Sequence, residues 1–378
     1  MLASTSIPLQ GITWDHPRGY LGLQAASEHY AAEHGVDISW DRRSLQAFAD
    51  EPIETLAAKY DFIVLDHPHV GMIAETGSLL PLPLPSDAAT ASLGGSLESY
   101  IWRDELLALP IDAACQVAVR RADLAFSELP NWEAVFDATP DTYKMVTPLL
   151  PVDAFDMMMT LVAGRGEEHL PQSPAHFTSD ENGLLALSVL KALYKLGPSE
   201  AVKWNPIKAL EALSTTNDFA YSPCLFGYIN YARPGFRKYA LSYCDLPSFE
   251  GSRVKRGILG GAGIGVSSKT AYPQQAMHFA QWVTSEPVQS GVYLENDGQP
   301  AHRATWHAKG DDPAYAGFLT GGRHTIENAW TRPRDVWFLG FVDDVCDIFP
   351  SFFLKDQDAE TMLAAINTLY RHHRAKKD

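Results

Sequence analysis

Basic residues are in short supply. Thirty Lys and Arg stand against 46 Asp and Glu, a formal charge of −16. That balance lacks the basic footprint on which nucleic-acid binding depends, so no nucleic-acid partner is expected. The one dense basic cluster, Arg371 to Lys377, ends the chain and reads as a solvated helix tail. Cysteine is scarce too. The four, at 115, 224, 244 and 346, form no C-x-x-C pair, which excludes a zinc ribbon and a disulfide framework. Free buried thiols are expected instead. No run of about 18 apolar residues occurs, so no membrane span is predicted. Met1 to Leu9 has neither the basic nor the apolar region of a signal peptide. Either an export signal has been removed or the protein stays in the cytoplasm. G-x-S-x-G is missing, and with it the nucleophile elbow of the α/β-hydrolases.

What is present is ordinary for a globular protein, with 46% hydrophobic and 20% charged residues in 378. That length provides two or three domains and ample core. The first 70 residues carry the clearest pattern. An apolar stretch at Ile12 ends in Asp15-His16-Pro17, and Phe62-Ile63-Val64-Leu65 ends in Asp66-His67-Pro68. Short apolar runs closed by turn formers suit interior parallel strands. Between them, Tyr20 to His34 shows helical spacing closed by Gly35. Val36, Ile38 and Trp40 alternate as a strand, and Ser44 to Tyr60 forms a helix broken at Pro52. The reading is β-α-β-α-β with right-handed crossovers. Ligands of open α/β sheets sit beyond the carboxyl ends of the strands. If these strands are neighbours, both Asp-His-Pro turns face one crevice, with Trp14, Arg18 and His69 beside them.

Further along, Leu107 to Asp112 leads into a strand at Cys115 to Val119, and a domain crossing is placed here. Thr178-x-x-Glu181 fits a capping box, and Asn205-Pro206 fits an N-cap with proline at the first helical position. Tyr221 to Tyr231, rich in Tyr, Gly and Pro, reads as loop; Lys238 to Leu246 reads as strand. Arg256 to Ser268 is glycine-rich and reads as a tight connection near the cleft, donating backbone N–H groups around Gly261 and Gly263. It lacks the G-x-G-x-x-G order of a dinucleotide loop. A helix follows around Phe279. Two more close the chain, Val336 to Phe349 and Asp358 to Arg374.

Taken in order, Tyr60-Asp61-Phe62-Ile63-Val64-Leu65-Asp66 with Gly71, Leu80-Pro81-Leu82, Leu109-Pro110-Ile111-Asp112, Gly227-Tyr228-Ile229-Asn230-Tyr231, Gly260 to Ser267 and Asp297-Gly298-Gln299-Pro300 resemble one family. It is that of the substrate-binding proteins of ATP-binding-cassette importers, the extracellular solute-binding proteins called family 1. The resemblance implies an α/β, two-lobed type II periplasmic-binding-protein fold with a ligand cleft between the lobes. It places lobe one at 1–111 plus 256–330, lobe two at 112–255, and helices 331–378 packed on the lobes. It also implies a periplasmic or extracellular monomer that binds a small molecule and delivers it to an ABC permease. A cytoplasmic enzyme or ligand sensor on the same fold is the alternative.

Sugar sites combine aromatic faces with planar polar groups. Trp14, Tyr228 and Tyr231 supply the first; Asp15, Asp66 and Arg18 supply the second. Each aromatic is equally suited to core filling. Arg18 offers a fork to a carboxylate, so a carboxylated ligand competes with a neutral sugar. Arg42 and Arg43 reach the same rim or pair with acidic neighbours. His16, His67 and His69, with the two aspartates, are expected to sit close enough to influence each other's titration near neutral pH. Asp15/His16 and Asp66/His67 are candidate acid–base pairs for the enzyme reading. His67-x-His69 with His16 and Asp66 could offer N and O ligands, but His-x-His is short and common by chance, so no metal is expected, and no cofactor is implied.

Overall fold

Three parallel strands open the chain, and their order follows from their burial. In the computed structural model, which describes residues 6–125, 129–138, 144–167, 169–252 and 254–375, β1 (Ile7–Trp14) lies between β2 (Val36–Arg43) and β3 (Phe62–Leu65). All four residues of β3 are buried, as an interior strand requires. Lys376 and Lys377 of the basic tail lie outside the described residues.

Helix α1 (Pro17–His34) joins β1 to β2. The His16 side chain accepts a bond from the Arg18 N–H, Pro17 fills the first turn, and Gly35 closes the helix at φ 67°. The predicted Ser44–Tyr60 helix is two pieces, Leu45–Asp50 and Ile53–Ala57, divided at Pro52.

A short hairpin, β4 (Ile101–Trp102) and β5 (Glu105–Leu106), precedes the 13-residue strand β6 (Leu109–Arg121). The Leu109–Cys115 part of β6 runs antiparallel to β9 (Leu259–Val266), which also pairs with β3. The Gln116–Arg121 part pairs with β7 (Tyr221–Phe226) and β8 (Leu241–Cys244). The sheet order is therefore β2-β1-β3-β9-β6-β7, with β8 also on β6. One strand thus belongs to both halves of a two-lobed α/β fold.

Two expectations are corrected here. The glycine-rich run is not a connection but strand β9. Gly261 sits at φ +107°, and a Cβ there would lie 2.3 Å from the Asp112 carbonyl; a Cβ on Gly263 would lie 2.7 Å from the Tyr100 ring. Glycine inside a strand marks such close approach. Tyr221 to Tyr231 is not all loop, since its first half is β7. Pro223 is tolerated because β7 ends the sheet and its register with β6 shifts between Val117 and Val119.

Separate cores lie on either side of β6. One joins β1–β3, α1 and β9 through Leu9, Phe62, Ile264 and Phe279. Phe279 lies on α4, the helix Pro273–Val283, numbered here after α2 (Pro151–Gly164) and α3 (Asp180–Leu196). The second core unites α2 and α3 with α5 (Val336–Leu354) and α6 (Ala359–Ala375) through Phe155, Leu190, Phe341 and Tyr370. Ser179, one residue after the predicted cap, caps α3, while the Thr178 hydroxyl donates to Glu167. A third cluster packs Leu294, Trp306 and Phe318 against Val117, Leu225 and Tyr243. Part of the stretch 256–330 therefore shares its core with residues of 112–255. Among the described residues, no helix is long and apolar enough to cross a membrane.

Candidate functional site

β1 and β3 are parallel neighbours, so both Asp-His-Pro turns leave the sheet at the same edge. They serve two different clusters there.

At the first turn, Arg18 is buried and its fork is closed. Its Nε donates to Asp112 Oδ2 at 2.7 Å, Nη2 donates to Asp112 Oδ1, and Nη1 donates to the Gly227 carbonyl at 3.1 Å. The guanidinium also lies 4.3 Å from the centre of the Tyr228 ring. Burial opposes its charge, but Asp112 outweighs burial and keeps Arg18 protonated. Arg18 is therefore taken by an internal carboxylate, which corrects its expected role toward a ligand carboxylate.

His16 meets Tyr228 edge-on at 5.0 Å and Tyr231 at 6.4 Å between ring centres. The Tyr231 hydroxyl donates to Glu211 at 2.7 Å. Asp15 points away: it is exposed and lies 3.3 Å from Arg42. Arg43 turns inward instead, donating to the Val64 carbonyl at 3.0 Å, with Glu51 at 3.5 Å. Trp14 packs against Phe48 in the first core, only 4% exposed, and so fills the core rather than presenting a stacking face. Gly261 and Gly263 lie within β9, in register with Ala113 and with Leu65 and Pro110, and bring Asp112 and Tyr100 close.

At the second turn, Asp66 is the hub. Its Oδ1 accepts from the His67 N–H at 2.7 Å and lies 3.0 Å from His67 Nδ1; its Oδ2 accepts from Arg332 Nη2 at 2.5 Å. The other arm of Arg332 lies 3.7 Å from Asp156 on α2. One guanidinium thus links a β3 turn of the first core to a helix of the second. Tyr100 closes the floor, donating to the Leu65 carbonyl at 3.1 Å. His69 is buried in the short turn after Asp66. Asp153, one helical turn before Asp156, is 7% exposed and makes no hydrogen bond or ion pair among the described residues.

The electrostatics correct the histidine expectation. Burial, assisted by Arg18, drives His16 down to about 3. Burial likewise lowers His67 to about 4 despite Asp66, with Arg332 and Arg334 contributing. Both rings are neutral at pH 7, and each answers to charges of its own cluster rather than to the other. Burial alone would raise the Asp66 carboxyl, but Arg332 and His67 hold it well below the usual carboxylate range. Asp156 is pushed up to about 6 by burial, with Arg332 opposing. Among the described residues no three His, Cys, Asp or Glu side chains are grouped to hold a metal ion.

The sequence did not single out Tyr100, Asp153, Asp156 or Arg332 as site residues. Two signals were available. Asp153-x-x-Asp156 places two acids on one face of the otherwise apolar helix PVDAFDMMMTLVAG. The loop Trp330-Thr331-Arg332-Pro333-Arg334 concentrates cations beside proline.

A family model described as bacterial extracellular solute-binding protein matches residues 25–304. No curated protein matches the sequence. Several solved structures are similar in fold. Maltose-bound MalE3 of T. maritima shares 16% identity over 97% of this chain and 99% of that chain, with TM-score 0.82. The GacH receptor of Streptomyces glaucescens, solved unliganded and with acarbose, shares 14% over 97% and 98%, with TM-score 0.79. An ABC transporter solute-binding protein of Agrobacterium radiobacter K84 in complex with ribitol shares 17% over 97% and 98%, also with TM-score 0.79.

Proposed function

Because the chain belongs to the bacterial extracellular solute-binding proteins, we propose that its interlobe seam binds a small polyhydroxylated solute, a sugar or polyol, for delivery to an ABC permease. The observation that carries this reading is the seam itself. His67 Nε2 and Arg332 Nε are buried without partners among the described residues, and Asp153 stands unpaired nearby. Unsatisfied buried polar groups are costly, and the hydroxyls of a polyol are suited to satisfy them. The neighbours' maltose, acarbose and ribitol support the same class.

Delivery needs opening. Arg18, His67 and Asp112 are almost fully buried, so a solute reaches the seam only when the lobes part. β6 runs through both halves and, with β9 paired to its first part, is the proposed hinge. In this reading lobe one is built on β1–β3 and lobe two on β7, β8 and the helices of the second core. Tyr228 and Tyr231 line lobe two's side of the seam, while His16, Asp66, His67 and His69 line lobe one's. The protein acts outside the cytoplasmic membrane, as a monomer.

The test is a thermal-shift screen of sugars, polyols, sugar acids and amines. A ligand at a hundredfold excess over Kd stabilises the fold by about 2.7 kcal/mol. Small-angle scattering of the best hit should show contraction on binding. No shift with any class would refute the reading.

A further inference from the structure

The seam holds more carboxylates than cations. Asp112 is matched by Arg18, and Arg332 is shared between Asp66 and Asp156. His16 and His67 carry no charge at neutral pH. Among the described residues Asp153 is left with no cation, though it is buried one turn from Asp156 and close enough to Tyr228 to perturb its hydroxyl.

An acid in the first turn of a helix has an ordinary explanation, since the helix dipole favours it there. That explanation suits a solvated side chain. Here Leu150, at the cap position before α2, provides no side-chain cap, and Asp153 is buried with the other acid of its helix. Burial of a carboxylate outweighs what a helix end returns, unless a cation or hydrogen-bond donors complete its surroundings.

We propose that the solute selected by this seam carries an ammonium group on its polyhydroxylated frame, and that Asp153, backed by Asp156, receives it. This rests on the solute-binding reading above and narrows it. The ammonium donates to the Asp153 carboxylate; the frame's hydroxyls meet His67 Nε2 and Arg332 Nε. The arrangement disfavours acids, because the fork best suited to a carboxylate, Arg18, is already closed on Asp112. Burial together with Asp156 pushes the Asp153 carboxyl well above the usual carboxylate range. A cation arriving beside it favours the ionised form.

The test uses matched triplets in calorimetric titration at pH 7: glucosamine, glucose and glucuronate; galactosamine, galactose and galacturonate; glucamine, sorbitol and gluconate. At least one amine is expected to bind tenfold or more tightly than its neutral parent. Asp153→Asn is expected to erase that preference without lowering Tm. If neutral parents or acids bind as tightly as every amine in the wild type, the inference fails while the solute-binding reading stands. The inference fails in the same way if folded Asp153→Asn keeps the wild-type preference. If no member of any triplet binds, both readings fail.

Discussion

Arg332 and Asp66, 266 positions apart in the chain, are joined by a 2.5 Å hydrogen bond, and the same guanidinium lies 3.7 Å from Asp156. Because the Arg332 side chain is only 10% exposed, the pair is sensitive to the loss of either partner.

Arg332→Met leaves Asp66 and Asp156 without their cation. Removing one member of a buried pair costs about 3–5 kcal/mol. Pairing Arg332→Met with Asp66→Asn should return most of that loss, because the hub carboxylate then no longer stays buried without a counter-charge. Urea denaturation of both single variants and the double variant measures the coupling. A single variant as stable as the wild type would mean that solvent screens the pair.

The buried histidines set a pH dependence. His67 has its pKa lowered from 6.5 to about 4, so below pH 6.5 the unfolded chain binds a proton that the folded chain refuses. Its contribution is fully present above pH 6.5 and is lost as pH falls toward 4, amounting to about 2 kcal/mol at pH 5. Asp156 runs the other way: raised from 3.8 to about 6, it favours the folded state as pH falls from 6 toward 4. Comparing His67→Gln with the wild type at pH 7 and pH 5 isolates the histidine. The variant should lose less stability by about 2 kcal/mol over that interval. Equal losses in both proteins would show that His67 stays accessible to protons.

Gly261→Ala tests the hinge strand. A methyl group there meets the Asp112 carbonyl at 2.3 Å, on backbone at φ +107°. The cost expected is about 2–3 kcal/mol. Thermal melts report it, and a Tm unchanged from the wild type would mean that β9 adopts another local geometry.

Trp14→Ala should behave as a core truncation, losing about 3–5 kcal/mol of stability. Tyr228→Phe, which keeps the ring over Arg18, should leave stability nearly unchanged and alter only solute affinity. Denaturation and binding measured on both variants separate the two roles. If Trp14→Ala kept its stability and lost only binding, Trp14 would belong to the seam after all.

Much of the architecture is legible in short stretches of the chain. The Phe62–Leu65 strand, the Gly35 stop, the Asn205-Pro206 start and the last two helices each follow from residues within one or two turns of each other. Local signals misled where a neighbour distant in sequence decided the outcome. The glycines of β9 look like loop until Tyr100 and Asp112 are seen against them. Pro223 looks like a strand breaker until β7 is seen to end the sheet.

The site divides along the same line. The two Asp-His-Pro turns and the aromatics near Tyr228 stand out because strand ends and turn chemistry are written locally. Their roles do not, since a polar group's role depends on what desolvates it and what pairs with it. Arg18 faces an aspartate 94 positions away, and Asp66 an arginine 266 positions away. Where the chain turns and which faces are apolar were already written in the residue order, because backbone sterics and side-chain spacing act over a few residues. That Arg18 is occupied, that His16 and His67 are neutral and that Asp153 stands alone emerged from the packed molecule, because burial and charge pairing exist only once distant segments have come together.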